Sequence, residues 1–247
     1  MAVLVTRPGQ QGRALCKLLS EVGIASHHQP LIDIQPGEQL KGLESDLFNV
    51  DIIIAVSQHA ALATDTYLRQ FSQTWPIRPT YIAVGQKTAH VLSNATQQKV
   101  HYPEISDSEH LLQHDELQAV ARKRILILRG NGGRELIFDT LTTRGAIVEY
   151  REVYKRENLA FRSDLLVPIW QNDQIKQLVI TSSGQLSYFI SQLSAPQKNW
   201  LFTLHLYVPS ERIAQQAREV GFQVVTNTFS ASNKVLLAAL RPSETGQ

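Results

Sequence analysis

Short runs of apolar residues alternate along this chain with segments that have the periodicity of amphipathic helices. Six runs are nearly continuous in Ile, Val, Leu or Ala, as is typical of strands buried on both faces of a parallel sheet. They span residues 3–5, 52–56, 81–84, 125–128, 178–180 and 204–208. Helical patterns follow at 13–22, 60–71, 88–95, 135–143, 186–193 and 213–220, and Gly23, Gly145 and Gly221 mark helix ends. This alternation predicts an α/β fold with doubly wound parallel sheets.

The chain also contains a weak internal repeat. The segment LVTRPGQQGRALCKLLSEVG, which begins at Leu4, resembles LILRGNGGRELIFDTLTTRG. Arg7 matches Arg129, and sixteen residues later Gly23 matches Gly145. IIIAVSQHA and QLVITSSGQ correspond in the same way, as do YIAVGQKTA and LYVPSERIA, which follow them. Chance similarity between strand–helix units is the alternative, but the matched spacing favours two domains of the same kind.

Composition limits the function classes that remain. A chain of 247 residues permits one large α/β domain or two of roughly 100 to 150 residues. The net charge of +2 gives no reason to expect a nucleic-acid partner. No long apolar segment predicts a membrane span or a signal peptide, so we expect a cytoplasmic protein. The single cysteine, Cys16, excludes an internal disulfide, and it lies on an apolar helix face as a core residue or, alternatively, a reactive thiol.

Ligands of parallel α/β sheets bind beyond the carboxyl ends of the strands, and hydroxyl, amide, glycine and basic groups occupy those positions here. They are Thr6, Arg7, Pro8, Ser57, Gln58, Gly85, Lys87, Thr88, Arg129, Gly130, Asn131, Thr181, Ser182, Ser183, Pro209, Ser210 and Arg212. The serines lack a nucleophile motif and are equally good helix N-caps. The eight histidines lack metal-ligand spacing. These positions suit a polyanionic small molecule, and no metal or cofactor is expected.

The loop Arg129–Gly133, sequence RGNGG, has three interpretations. It matches neither the dinucleotide nor the P-loop glycine pattern, although Glu149 and Glu152 lie where a ribose-binding acid would be expected. It can be a plain turn between a strand and a helix. It can also be a helix N-terminus whose free amides hold a carboxylate.

Six motifs together resemble the uroporphyrinogen-III synthase family over nearly the whole chain, from Val3 to Leu240. They are VTRP at Val5, AVSQHA at Ala55, YIAVGQKTA at Tyr81, LILRGNGGREL at Leu126, AIVEYREVYKR at Ala146 and VITSSGQ at Val179. Each motif is weak alone, but their order and spacing are specific. VPSER at Val208, in place of a glycine-containing turn, is a small departure from the family pattern.

The resemblance implies a connectivity. It implies two similar small domains joined by a two-strand linker, with a cleft between them. Domain 1 would comprise residues 1–34 plus 157–247, and domain 2 would be inserted as residues 39–149. The linker strands would be residues 35–38 and 150–156, and the segments LIDIQ at Leu31 and YREVYKR at Tyr150 show the alternation of short strands.

The resemblance also implies a reaction without a cofactor. The family cyclises hydroxymethylbilane, a linear tetrapyrrole with an acetate and a propionate on every ring, with loss of water and inversion of ring D. Tyr154 would be the general acid, although a tyrosine packed in a linker strand is the alternative. Arg7, Ser57, Thr88, Arg129, Gly130, Asn131, Ser183 and Ser210 would bind the substrate. We expect a monomeric lyase of haem biosynthesis, with the upstream hydroxymethylbilane synthase as a partner. A non-enzymatic two-domain anion-binding protein and a nucleotide-sugar transferase are the competing functions.

Overall fold

A computed structural model describes residues 2–241, and Met1 and residues 242–247 lie outside the described part. The strands are β1 (Ala2–Val5), β2 (Ala25–His28), β3 (Ile32–Pro36), β4 (Ile52–Ala55), β5 (Thr80–Ala83), β6 (Val100–His101), β7 (Arg124–Gly130), β8 (Ile147–Asn158), β9 (Ile175–Val179), β10 (His205–Val208) and β11 (Val224–Asn227). All six predicted apolar strands are present. The strands β2, β6 and β11 lacked a continuous apolar run and were not predicted.

The helices begin soon after the strands that precede them. They are α1 (Gly9–Glu21), α2 (Leu43–Phe48), α3 (Gln58–Gln70), α4 (Gln86–Thr96), α5 (Ser108–Leu111), α6 (Leu136–Thr143), α7 (Ser163–Asn172), α8 (Ser183–Ser191), α9 (Ala195–Phe202), α10 (Glu211–Val220) and α11 (Asn233–Leu240). Short 3₁₀ turns occur at Glu38–Leu40 and Asp115–Leu117. The six predicted helices are confirmed. Gly23, Gly145 and Gly221 follow α1, α6 and α10 with positive φ, which glycine adopts without strain.

The chain divides into two compact units. Within the described residues, the first unit comprises residues 2–33 and 157–241, and the second comprises Ile34–Arg156. The first unit contains a parallel five-stranded sheet in the order β11-β10-β9-β1-β2. Its core lies on both faces of that sheet. Leu4, Leu178 and Leu206 pack on one face, and Val3, Val5 and Val179 pack on the other.

The second unit contains a six-stranded sheet in the order β3-β8-β7-β4-β5-β6. The strands from β8 to β6 are parallel, and β3 lies at the edge beside β8. Alternate residues of β4 and β7 enter opposite cores: Ile53 and Leu126 pack on one face, whereas Ile52, Ile54 and Ile125 pack on the other. The two buried faces explain why the sequence shows continuous apolar runs instead of alternation.

The two sheets have the same strand arrangement with different chain connections. The order β6-β5-β4-β7-β8 in the second unit corresponds to β11-β10-β9-β1-β2 in the first. The correspondence pairs β1 with β7, β9 with β4, and β10 with β5, as the internal repeat predicted. The α/β fold with two similar doubly wound parallel sheets is therefore confirmed.

The segments predicted as linkers are part of the second unit's sheet. Residues 35–38 begin within β3, and residues 150–156 lie within β8, which pairs with β7 as far as Tyr154. The Gly37 N–H donates to the Val153 carbonyl at 2.9 Å, and a Cβ on Gly37 would collide with the backbone of Glu152. The chain thus crosses between the units in β3 and β8. Independent folding of each unit stays a prediction, as does a cleft between them.

Candidate functional site

A cavity lies at the carboxyl edge of the second unit's sheet, where β4 and β5 end. It measures about 460 Å³ and is lined by Ser57, His59, Gly85, Lys87 and Thr88, among others. Helices α3 and α4 both begin here, so their free N–H groups and positive dipole ends favour a bound anion. The sequence forms this site because each strand is followed at once by a serine or glycine that can start a helix.

Thr88 is the buried polar side chain of this cavity. The residue is 7% exposed and lines the cavity from the first turn of α4. A threonine hydroxyl at a cavity wall can donate a hydrogen bond to a bound carboxylate. Thr88 is therefore available to a ligand in the cavity.

Ser57 has the N-cap role as well as a contact with the predicted acid. Its Oγ accepts the Ala60 N–H at 3.2 Å and lies 3.1 Å from the Tyr154 Oη. Tyr154 is 2% exposed and lines a second cavity of about 270 Å³, between α3 and the edge strand β3. The structure therefore brings together two of the predicted residues that are 97 positions apart in the chain.

The loop after β7 supports Tyr154. A Cβ on Gly130 would lie 2.5 Å from Cζ of the Tyr154 ring, so only glycine allows the ring this position. The Asn131 side chain contacts the backbone of Arg156 twice: its Oδ1 accepts the Arg156 N–H at 2.7 Å, and its Nδ2 donates to the Arg156 carbonyl at 3.3 Å. Gly130 and Asn131 thus hold the end of β8. Contact between them and the substrate stays a prediction.

His59 lies between the two cavities, and it lines both. Its ring centroid is 5.7 Å from that of Tyr154. Burial lowers the pKa of His59, and the positive charge of Arg156 lowers this pKa further. The imidazole is therefore neutral at pH 7 and adds no positive charge beside the phenol.

Arg129 already has partners within the protein. It is 5% exposed, its Nη1 donates to Glu135 Oε1 at 2.9 Å, and its guanidinium stacks over the Tyr150 ring at 4.3 Å. The Tyr150 hydroxyl also donates to Glu135, at 2.7 Å. These contacts join β7, β8 and the start of α6. A role for Arg129 in substrate binding stays a prediction, and its structural role is the one with visible contacts.

Three predicted residues belong to the first unit. Ser183 begins α8 and accepts a hydrogen bond from Arg212 Nη1 at 2.8 Å. Ser210 precedes α10 without a side-chain cap. Arg7 is 6% exposed and donates to Asn233 Oδ1 and, at 2.7 Å, to Gln11 Oε1. Its Nε has no partner among residues 2–241, and burial lowers the pKa of this guanidinium.

Arg156 and His59 were not among the site residues predicted from the sequence. Arg156 follows Tyr154 by two residues in the same strand, so the two side chains share a face of the sheet. His59 follows Ser57 by two residues at the start of α3. The two-residue period of a strand could have indicated that Arg156 lies on the same face as Tyr154. Nothing in the sequence placed His59 against a residue of β8.

Among residues 2–241, no group of three or more His, Cys, Asp or Glu side chains is placed to hold a metal ion. No helix in this part of the chain is both long and apolar enough to cross a membrane.

Known proteins resemble this chain in sequence and in fold. The profile of a family described as uroporphyrinogen-III synthase HemD matches residues 13–233. The uroporphyrinogen-III synthases of Escherichia coli and Salmonella typhimurium are 42% and 38% identical to it, and each alignment covers 98% of this chain and all of the relative.

Solved structures agree at the level of the fold. A mutant uroporphyrinogen III synthase from Thermus thermophilus superposes with a TM-score of 0.63 at 14% identity, covering 97% of both chains. The uroporphyrinogen-III synthetase of Helicobacter pylori gives 0.61 at 15% identity, covering 97% of this chain and 99% of that one. At such low identity these two likenesses support the fold alone.

Proposed function

The chain belongs to the uroporphyrinogen-III synthase family, and from that premise we propose that it cyclises hydroxymethylbilane to uroporphyrinogen III with inversion of ring D. The observation that carries this proposal is the 42% identity to the Escherichia coli enzyme over 98% of this chain and the whole of that relative. A relationship of that extent includes both units. Nothing observed favours a non-enzymatic anion-binding protein.

The cavity at the start of α3 and α4 supports binding of a substrate carboxylate. Hydroxymethylbilane carries an acetate and a propionate on every ring. The helix N-termini offer N–H donors, Lys87 offers a charge, and Thr88 offers a hydroxyl at the cavity wall. We propose that Ser57 and Thr88 bind one such carboxylate group. Ser183, Ser210 and Arg7 would serve the same purpose in the first unit.

Tyr154 is the proposed general acid. The phenol would give its proton to the departing hydroxyl, and the carbon–oxygen bond would break with its electron pair going to oxygen, so that water leaves. The ring that carried the hydroxymethyl group is left as an azafulvene cation, and the substituted carbon of ring D attacks the exocyclic methylene carbon of that cation. Fragmentation and re-closure then invert ring D, and the proton lost as the final pyrrole becomes aromatic restores the phenol. The enzyme must mainly hold the conformation in which this route is faster than direct closure.

The reaction is a carbon–oxygen lyase reaction, because it eliminates water while closing the ring. Hydroxymethylbilane synthase is the proposed upstream partner. A monomeric state and a cytoplasmic location are proposed from the resemblance to the family.

The test is the isomer composition of the product. The purified protein is incubated with enzymatically generated hydroxymethylbilane, and the oxidised porphyrins are resolved by chromatography. We expect type III uroporphyrin in excess over type I. Equal isomer ratios with and without the protein would refute the proposed function.

A further inference from the structure

We propose that Arg156 is a positioning residue for Tyr154, whose guanidinium orients the phenol and stabilises the charge left on its oxygen when the proton is transferred. The inference rests on the proposed function, in which Tyr154 is the acid. It concerns residues of the second unit alone.

The directions of the hydrogen bonds support this role. The Arg156 guanidinium can only donate, and its Nη2 lies 2.9 Å from the Tyr154 Oη. Ser57 Oγ already accepts the Ala60 N–H, so its own proton can be directed to the same phenol oxygen at 3.1 Å. With both neighbours donating, the Tyr154 oxygen acts as acceptor twice, and its proton remains available for a group in the adjacent cavity.

The backbone around Arg156 is held in place. The two hydrogen bonds of the Asn131 side chain fix the N–H and the carbonyl of Arg156. Gly130 lets the Tyr154 ring pack directly against the end of β7. The guanidinium carbon lies 5.5 Å from the Tyr154 ring centroid, so the arginine approaches both the ring and its hydroxyl. These contacts limit the orientations in which the phenol can meet a substrate.

The charge of Arg156 acts when the proton leaves. The phenol oxygen gains negative charge as its proton moves to the departing hydroxyl, and a cationic donor at 2.9 Å stabilises that charge more than a neutral one would. His59 does not share this role, because burial and the nearby Arg156 charge keep its imidazole neutral. The same interaction holds the phenolate until the proton released on re-closure returns to it.

The test is a double-mutant cycle with Tyr154→Phe, measured as kcat and KM for type III product. We expect Arg156→Gln to lower kcat about tenfold with little change in KM, because one charge-assisted hydrogen bond is lost at an exposed side chain. Arg156→Lys should recover part of that loss, since it keeps the charge but not the geometry of the guanidinium. In the Tyr154→Phe background, Arg156→Gln should cause no further loss.

Two outcomes would overturn the proposal. An equal loss in the Tyr154→Phe background would mean that Arg156 acts independently of the phenol. A raised KM with unchanged kcat would mean that Arg156 contacts a substrate carboxylate instead.

Arg151→Gln is the matched control, because Arg151 lies in the same strand and pairs with Asp46 at 2.6 Å. The kcat of this variant should equal that of the wild type. If the wild-type protein makes no type III isomer, the proposed function fails first, and that result is seen before any variant is compared.

Discussion

At the scale of single residues, the candidate site depends on contacts between residues far apart in the chain. Tyr154 lies against Ser57 of one loop and Gly130 of another, and Arg156 reaches its hydroxyl from the same strand. None of these neighbours is itself a strong catalytic motif. Their arrangement is what makes the phenol a candidate acid.

The first prediction concerns Tyr154→Phe. We expect kcat to fall by about 10²-fold with little change in KM, at the low end for general acid catalysis, because orientation of the substrate carries most of the rate. Single-turnover and steady-state assays of type III product measure this.

Tyr81→Phe is the matched control for that variant. Tyr81 is another buried tyrosine, and its hydroxyl donates to the Pro76 carbonyl at 2.6 Å. Its loss should lower the free energy of unfolding by about 1 kcal/mol and leave kcat unchanged. Wild-type kcat in Tyr154→Phe would remove the acid role.

At the scale of elements, helix starts carry the polar groups of the second unit. Helices α3 and α4 begin at the cavity near Thr88, and α6 begins at the Arg129–Glu135 pair. The first arrangement places helix N–H groups and the Thr88 hydroxyl around a cavity and so suits a ligand. In the second arrangement Arg129 and Glu135 pair with each other, so it stabilises the fold instead of offering free charge to a ligand.

The second prediction compares two buried threonines. Thr88→Val should raise KM for hydroxymethylbilane several-fold, since one hydrogen bond to a carboxylate corresponds to about 1 kcal/mol or more. Thr64→Val is the control, because Thr64 is likewise a buried threonine but lies in the interior of α3, where its hydroxyl lacks a partner within residues 2–241. Steady-state kinetics should show no effect of Thr64→Val. Equal KM values in the two variants would contradict a ligand role for Thr88.

The third prediction concerns pH and the start of α6. Hydrogen bonds from Tyr150 and Arg129 hold the pKa of Glu135 below its usual value of 4.5. A lowered pKa in the folded state means that the carboxylate stabilises the fold above pH 4.5, and that this contribution disappears as pH falls through the folded pKa. Glu135→Gln should therefore melt below the wild type at pH 7, and the difference in Tm should shrink in acid. A difference in Tm that does not change with pH would show that the ionised carboxylate contributes nothing.

At the scale of the whole molecule, corresponding strands occupy the same positions in the two sheets. The order in which the chain visits those positions differs between the two units. The second unit runs continuously from Ile34 to Arg156, whereas the first is completed only after the chain returns at residue 157. A segment of this size can fold alone when its chain is continuous and its sheet has a core on both faces, and the second unit meets both conditions.

The fourth prediction is that the fragment 34–156 folds by itself. Calorimetry or circular dichroism should show a cooperative melt, because the fragment keeps all six strands of the sheet, with β3 from Ile34 and β8 as far as Arg156. The shorter fragment 39–149 is the comparison, and it should be less stable because it loses β3 and the part of β8 that pairs with Ile127 to Gly130. A disordered spectrum for 34–156 would favour units that fold only together.

Sequence periodicity determined the fold class, the six central strands and their helices. Burial on both faces of a parallel sheet requires continuous apolar runs, and this signal is local. The edge strands β2, β6 and β11 escaped notice because edge positions bury less and require no such run. The linker segments were predicted as strands, but their membership of the second sheet was not visible, because it depends on the pairing of β8 with β7 and of β3 with β8.

The candidate site also has a part that the sequence predicted and a part that only the tertiary structure revealed. The sequence alone predicted the positions after the strands, and with them Ser57, Thr88 and Gly130, because strand ends in a parallel sheet are defined by local pattern. Tyr154 was predicted only from the resemblance to the family. Only the tertiary structure decided their use: Arg129 is paired with Glu135, Asn131 holds the backbone of Arg156, and Arg156 reaches the Tyr154 hydroxyl. The physical reason is that hydrogen bonds and ion pairs depend on distances of about 3 Å between side chains, and such distances are set by how strands pair and pack, which local periodicity does not encode.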